Sequence, residues 1–386
     1  MLTHVVIAYR FARVKWNGSS RPSGDGKMKK LKKYVILVIN PGSTSTKTAV
    51  FRGSEEIFSE EIIHSCEETA RYSGIMEQED FRRGLIEEML GRKGFSLKEL
   101  DAVVGRGGVL RPMPSGTYTV SHRMIDDLRK GRYGLHASNL GAVLARSLAD
   151  SLGIPSFIVD PVTVDEMDEV ARVSGLPEIK RISIFHALNQ KAVARLACRD
   201  LGLQYAVSRL IVAHMGGGIS VGVHRNGRVI DVNNALNGDG PFAPTRTGGL
   251  PAGALVRLAL SGVWPEDEFS RKISSQGGMT AYLGTNDLRE VSERINNGDQ
   301  EAELIFDAMA YQVSREIGAC AAVLAGAVDA VVLTGGMARD EEFISRIKKR
   351  IAFIGRVLVY PGSREMEALS SGAERVLCGE EEAGTY

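Results

Sequence analysis

The chain carries one local pattern twice, and that repetition limits the folds open to it more than any other feature. Residues Val35–Phe51 read VILVINPGSTSTKTAVF: an apolar strand, a tight turn of small residues, then a second strand with a hydrophobic rhythm. Residues Leu210–His224 read LIVAHMGGGISVGVH and repeat the arrangement. A turn built from Gly, Ser and Thr presents backbone N–H groups at short range and lets a phosphate approach closely. One such turn alone reads as a plain β-hairpin. Two at corresponding places predict a duplicated fold that grips one polyphosphate from both sides. A third element, Thr334-Gly335-Gly336-Met337-Ala338-Arg339-Asp340, follows an apolar run and precedes a helical pattern. That geometry lets backbone pack closely on a nucleotide. The chain has neither a GxxxxGK followed by Ser or Thr nor a GxGxxG after its first strand, so P-loop and dinucleotide folds lose support.

Strands alternate with helical patterns throughout, the signature of an α/β protein. The periodicity predicts a hairpin over 34–52 with a further strand at 55–64. It also predicts helices over 81–91, 140–152 and 190–201, and short buried strands at 102–104 and 156–159. The second half predicts strands over 209–231, with Asn226-Gly227 as a type I′ turn. A long helix over 301–325, a strand at 330–333, a helix over 341–351, a strand at 357–360 and a closing helix over 367–377 follow. Pro161 and Pro177 punctuate a polar stretch and place a domain boundary near 160–180. Residues 1–27 lack periodicity after Phe11, and Met28 opens a natural start before the first strand. The expectation is that translation begins at Met28, or that 1–27 are a disordered extension.

The 386 residues suffice for two domains with a large core. A formal net charge of +1 supplies no basic field for nucleic acid. The four cysteines, Cys66, Cys198, Cys320 and Cys378, are far apart, which predicts neither a zinc site nor a disulfide framework and makes a reducing cytoplasm the default. The apolar stretch Ile317–Leu333 is broken by Asp329 and reads as a buried helix running into a buried strand rather than a bilayer span.

Charged residues in glycine-rich surroundings are the candidates for chemistry. Arg106 lies between glycines directly after a strand, and Arg246 sits in Pro244-Thr245-Arg246-Thr247-Gly248-Gly249. A guanidinium beside glycine reaches a ligand without steric interference and suits planar or trigonal oxyanions. His136, His186 and His214 stand at the ends of apolar runs and lack metal-ligand spacing. A lone histidine there is ordinarily structural, but three beside arginines and glycine loops point to a shared anionic site. Asp160 ends a strand before a proline, and Glu365 follows the Tyr360-Pro361-Gly362 turn. Carboxylates at strand ends partner Mg²⁺ when phosphates complete its shell.

These motifs, in this order from about Lys33 to the C-terminus, resemble the acetokinase family of acyl-phosphate-forming kinases. Asn40–Lys47 (NPGSTSTK) and His214–Val221 (HMGGGISV) carry the resemblance most specifically, and the agreement is best with the branch that acts on butyrate. The resemblance implies a duplicated actin-like ATPase fold, ribonuclease H-like in each half, with two domains around a central nucleotide cleft. Domain I would span 28–160, completed by the C-terminal helix 366–386; domain II, nucleotide-binding, would span 161–365. It implies ATP/ADP and Mg²⁺ as cofactors and a small carboxylic acid as substrate. It also implies a cytoplasmic homo-oligomer with no nucleic-acid or membrane partner.

Carried over at matching positions, Asn40, Ser43 and Lys47 belong to the first phosphate loop and His214, Gly216, Gly217 and Gly218 to the second. Arg106 and Arg246 match active-site arginines, His136 a phosphate-proximal histidine, and His186 the histidine that stabilises the transferring group. Asp160 and Glu365 match the acidic residues of the magnesium and catalytic centre. Asp287, Leu288, Arg289, Gly336, Met337, Ala338, Arg339 and Asp340 match segments that hold the nucleoside. Two departures from acetate kinases stand out. The second loop's usual Gly-Asn-Gly is Gly216-Gly217-Gly218, and two valines after the first arginine are replaced by Gly107 and Gly108. The lost side chains are expected to leave room for several carbons, with Leu135 and Phe185 as further pocket candidates. Each methylene accommodated stabilises binding by about 0.8 kcal/mol, which favours butyrate or a branched acid over acetate. Two alternatives stay open on the same fold: a sugar-hydroxyl kinase with Asp160 as general base, and a non-catalytic ATP-switched protein. Arginines converging on the cleft argue against the second.

Overall fold

The two repeated hairpins become the centres of two β-sheets with the same strand order. The structure, a computed structural model, describes residues 32–386, of which Tyr34–Tyr386 form one compact unit. The expectation for residues 1–27 lies outside the described residues. Strands β1 (Val35–Pro41), β2 (Ser45–Arg52), β3 (Glu55–Ile63), β4 (Ala102–Arg106), β5 (Thr117–Thr119) and β6 (Ser156–Val159) form a sheet in the order β3-β2-β1-β4-β6-β5. Strands β7 (Arg209–Met215), β8 (Ile219–Arg225), β9 (Arg228–Val232), β10 (Ala330–Gly335) and β11 (Val357–Pro361) form the second, in the order β11-β10-β7-β8-β9. In each, a three-stranded antiparallel meander joins a parallel pair: β3-β2-β1-β4-β6 answers β9-β8-β7-β10-β11. The repetition extends to a register shift in each meander, at Val50/Phe51 and at Val223/His224.

The central strands are apolar throughout because helices cover both their faces. β1 and β10 are buried along their whole length. On one face of the first sheet, Leu37, Ile39 and Val103 pack on the helices Glu79–Arg92 and Asn139–Leu152. On the other, Ile36, Val38 and Val104 pack on Leu369 and Ala373 of the last helix, Glu365–Leu377. The second sheet buries Ile211, Val221 and Leu333 against the helices Gln300–Val323 and Glu341–Ile351. Its other face meets Val193, Ala194 and Ala197 of the helix Ala187–Leu201. That helix also contributes Leu188 to the core beneath the first sheet, so it ties the two halves together.

The expected elements are present within a few residues of their predicted ends. Asn226 (φ 52°) and Gly227 (φ 79°) make the predicted turn. The stretch Ile317–Leu333 is a helix and then a strand, separated by Ala325 and Gly326 with positive φ. Among the described residues, no helix is long and apolar enough to cross a membrane. Sequence periodicity gave no sign of β5, of the helix His122–Arg129, or of four helices between β9 and the long helix: Ala252–Leu260, Glu266–Ser274, Met279–Leu283 and Leu288–Asn296. β5 has only three residues, and the first two of those four helices bury none. Such elements leave little hydrophobic rhythm to read.

Candidate active site

The first phosphate loop is held from behind by a residue the sequence reading did not single out. Arg82 is fully buried and falls on the stripe Arg82, Ile86, Met89, Leu90 of the helix Glu79–Arg92. Its guanidinium donates to the carbonyls of Gly42 (2.8 Å), Ser43 (3.0 Å) and Ser45 (3.2 Å), to Thr46 Oγ1 (3.1 Å), and twice to Gln78 Oε1. By drawing those carbonyls inward it leaves the other ends of the loop peptides for a ligand. Burial lowers its pKa to about 10, so it stays charged at neutral pH. The only signal in the sequence was an arginine at i relative to apolar residues at i+4, i+7 and i+8.

At the mouth of the same loop, Arg106 closes the end of β4. Its Nη1 donates to Asn40 Oδ1 (3.3 Å) and Glu365 Oε2 (3.1 Å), and Asn40 Nδ2 donates to the same carboxylate oxygen (2.9 Å). Three predicted residues from β1, β4 and the start of the last helix thus form one polar knot. Lys47 stands directly opposite Asn40 in the β1–β2 register, on the same face of the sheet, but its ion pair is with its β3 neighbour Glu61 (3.6 Å). Ser43 is exposed and meets Arg82 only through its carbonyl.

The second loop turns from β7 into β8, closed by Gly216 N–H donating to Gly218 C=O (3.1 Å). Any Cβ on Gly218 would collide with the Arg246 guanidinium, so the third glycine is what lets Arg246 lie on this loop. Arg246 Nη1 donates to the Ala235 carbonyl (2.6 Å), while its buried Nε has no acceptor among the described residues. Asn189 Nδ2 is likewise buried without a partner, although its Oδ1 bonds His214 Nδ1 (2.8 Å). Buried donors lacking acceptors fit an anionic ligand. At the end of β10, Gly335 takes φ 95° and packs on β7, where a side chain would overlap the Met215 carbonyl.

The histidines meet between the loops. His186 and His214 stack with centroids 3.9 Å apart at 11°. Burial, then His214 and the two arginines, hold His186 well below its usual pKa. Burial lowers His214 to about 4, with Glu365 raising and Arg106 lowering it. His136 is also lowered, by burial and then by Arg106 and Arg246. Its Nδ1 accepts from Ser138 N–H (3.1 Å), which leaves the ring proton on Nε2. All three imidazoles are therefore neutral at pH 7; His136 and His186 lie in the field of both arginines, and His214 in that of Arg106.

Beside the second loop lies a cleft of about 580 Å³ lined by Gly216, Gly217, Asp287, Leu288, Arg289, Gly336, Met337, Arg339 and Asp340, among others. Most residues expected to hold the nucleoside therefore line one cavity. Ala338 instead packs into the core of the second sheet.

Three expectations change. Gly107 and Gly108 do not open an acyl pocket. A Cβ on Gly107 would stand 2.7 Å from Pro161 Cβ, and one on Gly108 2.6 Å from Asn139 Cα and 2.8 Å from Leu128 Cδ2. At both positions Pro161, Asn139 and Leu128 already fill the space a side chain would need. Phe185 is core, packed with Val164, Met167 and Val232, while Leu135 is exposed. Asp160 is buried, with Oδ1 accepting from Ser115 Oγ (2.6 Å) and Gly116 N–H (2.9 Å) and Oδ2 lying 3.8 Å from Arg195. None of these partners is Arg106, Arg246 or one of the three site histidines. Gly108→Val should accordingly cost stability, about 1–3 kcal/mol from overpacking, and leave the butyrate-to-acetate ratio of kcat/KM unchanged in whatever folds. Thermal melts with paired kinetics check this; a stable variant with a shifted ratio would restore the pocket.

The comparisons with known proteins agree with this geometry. The acetokinase family profile matches residues 178–368. A probable butyrate kinase of Listeria monocytogenes serotype 4a is 52% identical over 353 residues, 92% of this chain and 99% of that protein. Butyrate kinase 2 of Clostridium acetobutylicum is 51% identical over 354 residues, again 92% and 99%. Among solved structures, Porphyromonas gingivalis acetate kinase superposes with a TM-score of 0.73 at 22% identity, covering 89% of this chain and 100% of that one. At that identity the likeness speaks for the fold, a two-domain α/β arrangement of the actin-like ATPase type.

Proposed function

The chain belongs to the acetokinase family, and from that premise we propose how its cleft performs ATP-dependent phosphorylation of a short-chain fatty acid, butyrate or a branched equivalent, to an acyl phosphate. The observation that carries the proposal is the convergence of Arg106 and Arg246, one from each half, on a common set of neutral histidines. The substrate carboxylate is already ionised at pH 7 and attacks the γ-phosphorus in line without a general base. Its nucleophilic oxygen forms the new P–O bond as the bond to ADP breaks. Catalysis then rests on positioning and on neutralising the oxygens of a trigonal phosphoryl group. Arg106 and Arg246 supply positive charge, and His186 and His136 supply neutral N–H donors that cost no proton transfer. The loops at Asn40 and at Gly216–Gly218 hold the phosphates, and the adjoining cleft holds the nucleoside.

Mg²⁺ fits the residues in the mode usual for nucleotide enzymes, one or two carboxylates plus substrate phosphates. No group of three or more His, Cys, Asp or Glu that could cage a metal occurs among the described residues. Glu365 accepts at Oε2 from Asn40 and Arg106, and no hydrogen bond reaches its Oε1 among the described residues. It would hold the ion, which when bound would offset phosphate charge. Asp160, the base that a sugar kinase would need, already accepts from Ser115 Oγ and Gly116 N–H at Oδ1, which speaks for the acid substrate. We place the domains at 28–160 completed by 366–386, and at 161–365. The packing of the last helix on the first sheet supports that division. A homo-oligomer in a reducing cytoplasm belongs to the same reading, and the free state of all four cysteines is in keeping with it.

The test is a hydroxamate assay with ATP, Mg²⁺ and unbranched and branched acids of two to six carbons. Butyrate or a branched acid should give hydroxamate with the highest kcat/KM. ADP release without hydroxamate from any acid would overturn the reading.

A further inference from the structure

His186 has a second nitrogen, and behind it runs a buried polar chain that the phosphoryl-transfer reading does not use. Gln190, Ser220 and His224 are buried completely, and Tyr205 closes the far end. The links are Tyr205 Oη to His224 Nδ1 (2.8 Å), His224 Nε2 to Gln190 Oε1 (3.1 Å), Gln190 Nε2 to Ser220 Oγ (2.8 Å) and Ser220 Oγ to His186 Nδ1 (2.9 Å). The chain needs room inside β8. Gly222 provides it, since a Cβ there would overlap Gln190 Oε1.

One contact fixes the direction of every proton. The backbone carbonyl of Ser220 can only accept, and it lies 3.0 Å from Gln190 Nε2. The amide therefore turns its NH₂ toward Ser220 and its oxygen toward His224. That oxygen can only accept, so His224 Nε2 donates. Burial, then Lys191 and Arg195, keep His224 neutral, so its Nδ1 is bare and takes the Tyr205 proton bond. Burial also raises the Tyr205 phenol, which keeps its proton. Ser220 Oγ accepts from Gln190 Nε2 (2.8 Å) and from the His186 backbone N–H (3.5 Å), so it meets His186 Nδ1 (2.9 Å) with its own O–H. The lone pair of His186 is thus at Nδ1 and its proton at Nε2.

We propose that Tyr205, His224, Gln190 and Ser220 are positioning residues that lock His186 in the Nε2–H tautomer, presenting a neutral, fixed hydrogen-bond donor to the transferring phosphoryl group. An imidazole without such a lock divides its population between two tautomers and two ring orientations, only one of which donates into the cleft. The inference rests on His186 acting in the proposed reaction, but the tautomer itself can be read without turnover.

The experiment is ¹⁵N NMR of the full chain labelled at histidine, with His186 assigned by its loss in His186→Gln. The wild-type protein should show a bare Nδ1 and a protonated Nε2 at His186. Ser220→Ala should blur that distinction and lower kcat about ten-fold, with KM for ATP and acid within about two-fold. Ser220→Thr, which restores the hydroxyl, should recover most of kcat. A protonated Nδ1 in the wild type overturns the lock, and that measurement needs no variant to fold. So does a Ser220→Ala protein that keeps the wild-type nitrogen pattern. Failure of the hydroxamate assay with the Nε2–H pattern present would remove the acid substrate and leave the lock standing.

Discussion

Arg246→Ala is expected to lower kcat by about 10²–10³, with a much smaller change in KM for ATP. Losing a charge contact that strengthens in the transition state costs about 3–4 kcal/mol. The geometry gives the arginine little freedom. Its Nη1 is tied to the Ala235 carbonyl, its plane occupies the space over Gly218, and its Nε has no acceptor among the described residues. A guanidinium held this way needs no reorganisation when charge develops on the phosphoryl oxygens. A lysine would keep the charge but not the planar fork, so Arg246→Lys should recover only part of the loss. Steady-state kinetics beside a thermal melt decide the matter. Near-wild-type kcat in a folded Arg246→Ala protein would remove this residue from the mechanism.

Arg82→Ala should produce the largest loss of stability of any single substitution near the cleft, about 3–5 kcal/mol, the usual cost of stranding buried polar partners. Six hydrogen bonds leave with the guanidinium, and the carbonyls of Gly42, Ser43 and Ser45 lose their charged donor. Because those carbonyls orient the first phosphate loop, KM for ATP should rise as well, by about ten-fold. Arg82→Lys retains a charge but cannot serve three carbonyls and Gln78 at once, and it should fall between wild type and alanine. Urea titration measures the first effect and initial rates against ATP the second. An Arg82→Ala protein as stable as wild type with an unchanged KM would show that the loop holds its own shape.

The signals that proved readable in the sequence are local ones. Small residues between two apolar runs demand a tight hairpin wherever they occur, and an uninterrupted apolar run such as Val35–Ile39 must be buried on both faces. Arg106, Arg246 and the three histidines stood out because a polar group in a glycine-rich or apolar setting is locally anomalous. The Gly335-Gly336 turn could be read because its neighbours alone place it at the end of a strand and before a helix. Arg82 could not be read this way. On the sequence it is one more arginine in an amphipathic helix, and its role depends on a loop 36 to 40 residues upstream. Gly107 and Gly108 misled for the complementary reason. An absent side chain leaves space only if nothing else fills it, and Pro161, Asn139 and Leu128 do.

By itself, then, the sequence determined the duplicated hairpin pattern, the alternation of strands and helices and the membership of the acetokinase family, and it singled out the arginines and histidines as candidates, because turn chemistry, strand burial and motif order are encoded in neighbouring residues. Only the tertiary structure decided which of those side chains act together and in what protonation state. Arg106 meets Glu365 across 259 positions of chain. Asp160 is drawn away by Ser115, Gly116 and Arg195. His186 owes its tautomer to a serine 34 residues distant. Hydrogen-bond direction and desolvation are properties of an assembled neighbourhood, and no window of sequence contains one.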